Sequence, residues 1–519
     1  MAEVPSVSGY VAIVGAVGVV LWYVAAYYTS PLRRFPGPAL AGWTNWWRFW
    51  LVTSGKYQFR IHELHEQYGP VVRIGPNVLD LDYPELIKTI YMSTNQAFRK
   101  TEFYDSSNYM ENGQVRRTVF TAPDPIEHAS LKKPIIKVYS TSSILSMEGI
   151  VDDTISEWCE KIENIICANR GVVDIGEWLN FFTWDVISKV TFGKPFGFID
   201  HGSDHNGLLK ASDSIIAYFA AVGQIPMLDW FLQKNPIITP SSTGISVGTA
   251  FCLKSLIDRK TQRAATAEKT WPENDMLDRF LNIQAENPAA ATDSAIFSAT
   301  LVNFLAGADS TAETLKAALY FLVTHPRAMA TLRHALHAAR ADPHGSPAVS
   351  PSYASARAVA YLEAVVRETF RMMPAVGMLL ERYVPVTGLE LPRGGGYVPP
   401  GTIVGINAYI MGRNTAVYGK DVDVFRPERW LRGEHESQEV FDERLRAMVA
   451  ADLGFGAGPR VCIGKNLALV EIYKILATVI GRWEMCLDDK AEYTIESSWF
   501  IKQRGLVCRM KNAQDLRSV

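Results

Sequence analysis

The residue of this chain best placed to do chemistry is a cysteine framed by glycines and an arginine. Residues 453–474 read LGFGAGPRVCIGKNLALVEIYK. Gly456 and Gly458 permit a tight turn without Cβ clashes. Backbone N–H groups of such a loop can point at the sulfur of Cys462. A helix is predicted from about Gly464, and its positive end aims at the same place, which stabilises a thiolate. Arg460 adds a cation, and Gly464 leaves room for a flat ligand. Read alone, Cys462 is one of six scattered cysteines, and a free cysteine is most often an inert buried residue. The surroundings single it out.

Three further segments bear on that loop. In YLEAVVRETFRMMP (361–374), Glu368 and Arg371 share one helix face and can pair. The plain alternative is a surface ion pair worth less than about 1 kcal/mol. The segment FRPERW (425–430) brings Arg429. Residues 294–323 are apolar nearly all round, which predicts one long buried helix. Its centre reads FLAGADST, from Phe304 to Thr311. Gly307 in mid-helix costs about 1 kcal/mol relative to alanine, so a close approach or a local bulge is expected there. Asp309 either faces solvent or, if buried, has to be paired or functional.

In this order and spacing the segments resemble the cytochrome P450 family. FGAGPRVCIG (455–464) is similar to its haem-binding signature. The resemblance implies that Cys462 is the proximal thiolate and metal ligand. Phe455 then packs near the sulfur, with Gly456 in the cofactor-binding loop, and Arg460 reaches a haem propionate. It implies that Glu368, Arg371 and Arg429 lock together beneath the haem as structural residues. Ala306 and Gly307 resemble the small pair that lets oxygen fit over the iron. Asp309 and Ser310 resemble the acid–alcohol pair that relays protons; the family's usual threonine is replaced by Ser310, with Thr311 next, so either hydroxyl is a candidate. His128, Lys132 and Arg382 resemble propionate partners, although Lys132 stands where arginine is commoner and loses a bidentate contact. By the same resemblance the substrate pocket takes Tyr109, Phe219, Ile225, Phe304, Ala306, Val376 and Phe500, mostly apolar or aromatic positions that suit a small lipophilic ligand. The resemblance spans residues 31–510.

The activity implied is a monooxygenase: haem b and O2 do the hard chemistry, and the anionic sulfur favours O–O cleavage. Electrons would come from NADPH through a membrane-bound cytochrome reductase, with Lys132, Lys133, Lys137 and Lys465 as a basic docking face. The pattern is similar to fungal enzymes of natural-product pathways. Two other readings stand beside it: a haem-thiolate isomerase or dehydratase, and a non-catalytic haem sensor or carrier. The AGADST segment favours the monooxygenase, because a non-oxygenating enzyme has no need of a proton relay, and reductase-dependent NADPH oxidation would separate a carrier or sensor from the enzyme readings.

The elements that must position these residues form a mainly α body with a small β lobe, preceded by one N-terminal transmembrane helix. The 519 residues carry a net charge of -2, so no global field points to nucleic acid. The six cysteines show no CxxC pair, which argues against a disulfide framework and a structural zinc site. From Tyr10 to Tyr28 no residue is charged; as a helix the run spans about 28 Å, close to the hydrocarbon thickness. Glu3 precedes it and Arg33 and Arg34 follow, which predicts a single pass with a cytosolic body, and the resemblance implies the endoplasmic reticulum membrane. A cleaved signal peptide is the weaker alternative, because no basic region precedes the run. Domains are therefore expected at 1–30 (anchor) and 31–519 (enzyme), joined by the proline-rich elbow PLRRFPGP. Strand-like pieces cluster at 70–83 and 383–408, and a loop is expected at 341–356.

Overall fold

The uncharged N-terminal run forms helix α1 (Val7–Thr29). The computed structural model describes residues 7–92, 98–111, 114–235, 244–265, 273–289, 291–340 and 349–513. Part of the expected anchor, and half of the loop expected at 341–356, lie outside them. Among the described residues, no helix is long and apolar enough to cross a membrane.

Seven further helices build the site or pack around it. Helix α2 (Pro125–Lys132) starts where Asp124 accepts the N–H groups of Ile126 and Glu127 and proline fills the first turn. Helix α3 (Ile175–Phe192) is buried on almost every face and stops at Gly193 in the left-handed region. Then come α4 (Leu208–Val222), α5 (Asp293–Ala306), α6 (Asp309–Thr324) and α7 (Ala360–Met372). The last, α8 (Lys465–Arg482), follows the cysteine loop directly and is buried along most of its length.

The long helix expected over 294–323 is two helices. The chain breaks at Gly307–Ala308, between α5 and α6. A Cβ on Gly307 would come within 2.7 Å of the Ile187 side chain on α3. The glycine therefore marks a close helix–helix approach and a break, both within what its cost in mid-helix foretold.

The β lobe is small. Strands β1 (Val71–Gly75) and β2 (Val78–Leu81) form an antiparallel hairpin with Val71 opposite Leu81. A hairpin of β3 (Tyr109–Glu111) and β4 (Gln114–Arg116) stands apart. Strand β5 (Arg382–Tyr383) pairs antiparallel with β6 (Ile403–Gly405), and β6 runs parallel to β2, giving the sheet order β1–β2–β6–β5. A late hairpin, β7 (Thr494–Ser497) with β8 (Ile501–Arg504), lies against α6. One large hydrophobic cluster fills the helical body and a second underlies the four-stranded sheet.

Candidate active site

The cysteine loop is fastened by its own backbone. Cys462 N–H donates to the Phe455 carbonyl at 2.9 Å, and Val461 N–H to that of Gly458 at 3.1 Å. Gly456 (φ 71°) and Gly458 (φ 64°) sit in the left-handed region. A Cβ on Gly458 would lie 2.1 Å from the Tyr91 carbonyl oxygen, so glycine is required there on both counts. The Cys462 side chain opens onto an internal cavity of about 270 Å³. Desolvation pushes its thiol up, while the N–H groups of Gly464 and Lys465, with the charges of Lys465 and Lys132, pull it back. The start of α8 thus supplies the donors that the sequence assigned to it.

Four cations converge on the cavity. Arg460 donates to the carbonyls of Ala122 (2.5 Å), Pro123 (3.2 Å) and Asp124 (3.3 Å). Lys132 reaches the Pro459 carbonyl at 2.8 Å. Arg382 donates to the Glu381 carbonyl at 2.7 Å. Lys100, buried, donates to the Phe120 carbonyl at 2.5 Å and lies 4.0 Å from the Tyr104 ring centroid. Among the described residues no carboxylate pairs with any of the four. Burial and the neighbouring charges Arg382 and Arg460 push Lys100 well down. Burial and Arg382 lower Arg460 to about 10. His128 is driven down to about 3 by burial, then by Arg460, Lys132, Lys100 and Arg382. A cluster in which each cation weakens the next is arranged for an anion of more than one charge.

On another wall, Ala306, Gly307, Ser310, Thr311 and Thr314 face the cavity. Ser310 Oγ donates to the Ala306 carbonyl at 2.8 Å and Thr311 Oγ1 to that of Gly307 at 3.2 Å. Each hydroxyl keeps lone pairs for a ligand.

Beneath the loop, Glu368 gathers five donors. Arg371 Nε lies 2.8 Å and Nη2 2.7 Å from its two oxygens. Arg426 N–H (2.9 Å), Trp430 Nε1 (2.9 Å) and Arg429 Nε (3.4 Å) complete the set. All three charged side chains are buried. The surface-pair alternative for Glu368 and Arg371 is therefore set aside.

The family model for cytochrome P450 matches residues 36–514. Cytochrome P450 monooxygenase cfoH of Aspergillus candidus is 38% identical over 505 residues, covering 96% of this chain and 91% of that protein. The chain belongs to the cytochrome P450 family. A cytochrome P450 monooxygenase of Aspergillus terreus is 35% identical over 471 residues, covering 90% of this chain and 93% of that one. Cytochrome P450 monooxygenase mpaDE of Penicillium roqueforti is 35% identical over 500 residues, of whose length the match spans 57%.

As a P450, the chain is a haem-thiolate oxidoreductase of the monooxygenase class, and membership implies haem iron, O2 and a redox partner. The residues present fit that group: a thiol open to the cavity, helix-end N–H donors beside it, and four cations without a carboxylate. The P450 site also holds a carboxylic acid that sequence reasoning did not single out. Glu471 on α8 lines the cavity and is buried, and neither carboxylate oxygen has a hydrogen-bond partner among the described residues. Burial raises it well above the usual carboxylate range. Lys100 was also missed; its signal was a lysine inside the apolar-aromatic stretch QAFRKTEFY.

Several expected P450 positions lie elsewhere. Asp309 is buried but does not line the cavity. Its carboxylate accepts from Trp184 Nε1 at 3.0 Å and Ser212 Oγ at 2.9 Å, and Lys502 Nζ lies 3.1 Å away. Burial works against the Lys502 charge, but Asp309, Glu313 and Asp213 outweigh it and raise its pKa. The break at Gly307–Ala308 starts α6 at Asp309, and the carboxylate takes these three partners on α3, α4 and β8. Of the substrate positions, Ala306, Val376 and Phe500 line the cavity. Tyr109 instead lines a separate cleft beside α5, where its hydroxyl lies 3.3 Å from Ser294 Oγ. Phe304 packs against Trp184, Phe196 and Phe251 on the far side of α5. Phe219 stands behind Phe120 and Trp499 rather than on the cavity surface, and Ile225 is half-buried and away from it.

Proposed function

We propose that this chain uses haem b, held by Cys462, to oxidise a small lipophilic substrate in secondary-metabolite biosynthesis. The observation that carries the reading is the Cys462 thiol open to a cavity that His128 and four cations, none ion-paired among the described residues, also line. When bound, the haem supplies O2 activation, and its sulfur ligand favours O–O cleavage. Lys100, Lys132, Arg382 and Arg460 would hold its propionates, with Phe455 and Gly456 shaping the loop around the sulfur. The test is the absorption spectrum of the reduced, haem-loaded protein with carbon monoxide. A thiolate-shifted band is expected, and a band at the position of a histidine-ligated haem would overturn the assignment.

Proton handling falls to the wall of α5 and α6. Ser310 and Thr311 present hydroxyl oxygens at the cavity, and Asp309 stands behind them at the start of α6. Asp309 carries a proton towards these hydroxyls only by giving up a bond to Trp184, Ser212 or Lys502. Asp309→Asn is therefore expected to keep the carbon monoxide band and to slow turnover by about 10²-fold, the lower range for loss of a general acid. Unchanged turnover would remove Asp309 from proton delivery.

NADPH–cytochrome reductase is the proposed electron donor. Lys133 and Lys137 are exposed near the end of α2, and Lys132 and Lys465 flank the cysteine loop, a basic face on the side of Cys462. Placement at the endoplasmic reticulum membrane, with the body cytosolic, is supported by the uncharged run Tyr10–Tyr28 with basic residues after it, and by Trp46 and Trp50, which lie exposed.

A further inference from the structure

The cavity wall formed by the end of β7, the start of β8 and the loop before α2 is aromatic. Trp499, Phe500 and Phe120 line it. Phe103 and Phe219 back them, with ring centroids 5.8 Å and 5.0 Å from that of Trp499, and Phe120 lies 5.9 Å from it. The wall is held in place. Ile501 N–H donates to the Ala375 carbonyl at 2.9 Å, Gly377 N–H to that of Trp499 at 3.4 Å, and Phe500 bridges Val376. Ring side chains held in this way present area at little entropic cost. The α5–α6 wall, by contrast, dips between Val302 and Thr311, where Ala306 and Gly307 bring no branched bulk to the cavity. Its hydroxyls on Ser310 and Thr311 spend their protons on helix carbonyls and so face a ligand as acceptors.

A rigid aromatic wall, a dip at Ala306 and Gly307 and acceptor oxygens describe a slot for something flat that donates a hydrogen bond. We infer that Trp499 and Phe120 select a planar aromatic substrate bearing a hydroxyl, such as a fused bicyclic phenol, over a saturated, puckered skeleton of the same size. This rests on the haem-thiolate monooxygenase reading of the same cavity and names the substrate class within it. Neither residue is assigned to the oxygen chemistry; both are specificity determinants.

The test uses the haem-loaded full chain and two probes of one carbon skeleton, 2-naphthol and 2-decalol, titrated by the spectral shift of the ferric haem. 2-Naphthol is expected to bind about tenfold tighter, the size of one good ring-on-ring contact. Trp499→Leu is expected to bring the two dissociation constants within about twofold, while Trp499→Phe keeps the preference, since a ring remains. Phe120→Leu carries the same expectation as Trp499→Leu, so the outcome does not hang on one substitution. Equal affinities in the unaltered protein would overturn the inference, as would a preference that survives both leucine variants. Absence of the thiolate-shifted carbon monoxide band would instead fall on the haem reading, which separates the two failures.

Discussion

Cys462→Ala is expected to yield a folded chain with no turnover and no thiolate-shifted carbon monoxide band. The fold survives because the sulfur carries little of it. The side chain opens onto the cavity, and the loop is held by backbone bonds, Cys462 N–H to Phe455 and Val461 N–H to Gly458. Alanine keeps both. Stability without haem should therefore change by no more than about 0.5 kcal/mol, the usual range for a substitution that breaks no buried contact. Activity has no such reserve. No other described cysteine lines the cavity, so no second sulfur can take the position. The four cations remain, and haem can still be held through its propionates. This variant thus separates holding the group from ligating it. A haem-containing Cys462→Ala protein that kept the thiolate band would assign the ligand to a different residue.

The cysteine loop was legible because its chemistry is local. A left-handed turn needs glycine at Gly456 and Gly458, a thiolate needs N–H donors, and a helix that starts just after the cysteine provides them; all of this lies within ten residues of chain. The α-rich body with its small lobe was legible for a similar reason, since hydrophobic period and turn residues are also local. What was not legible depends on which way a helix face turns. Phe304 and Asp309 flank Ala306 and Gly307 in sequence, yet both turn from the cavity. Phe304 precedes the break at Gly307–Ala308 and Asp309 follows it, and the close neighbour of Gly307 there, Ile187 on α3, is more than 100 residues away in the chain. Tyr109 failed likewise: its hairpin stands beside α5 and opens a cleft of its own. Lys100 and Glu471 were hidden because their residue types predict the surface. Only the assembled cavity shows one as part of a cationic cradle and the other as a buried acid on its wall without a hydrogen-bond partner among the described residues.

Glu368→Gln is expected to destabilise the protein more than any surface charge change, by about 3–5 kcal/mol, the cost of leaving a buried charge without its partner. Glu368 offers two anionic oxygens to five donors, and Arg371, Arg429 and Trp430 come from two segments that meet only there. Glutamine has one acceptor oxygen, and its NH2 would confront a guanidinium or the indole N–H. Arg371 has a partial refuge in the carbonyls of Gly412 and Val422, at 2.7 Å and 2.6 Å, but these do not cancel its charge. The damage reaches the haem loop through packing. Phe370, between Glu368 and Arg371 on α7, lies 4.8 Å from the Phe455 ring centroid, and a Cβ on Gly454 would touch it at 3.2 Å. Loosening α7 therefore loosens the turn that presents Cys462. The measurable sequence is a lowered urea midpoint with an unchanged slope, and haem content that falls with it. With total stability of about 5–15 kcal/mol, a loss of that size leaves much of the chain unable to keep its cofactor. A midpoint shift worth less than about 1 kcal/mol would place Glu368 among ordinary ion pairs and leave the packing of Phe370 on Phe455 to hold the loop alone.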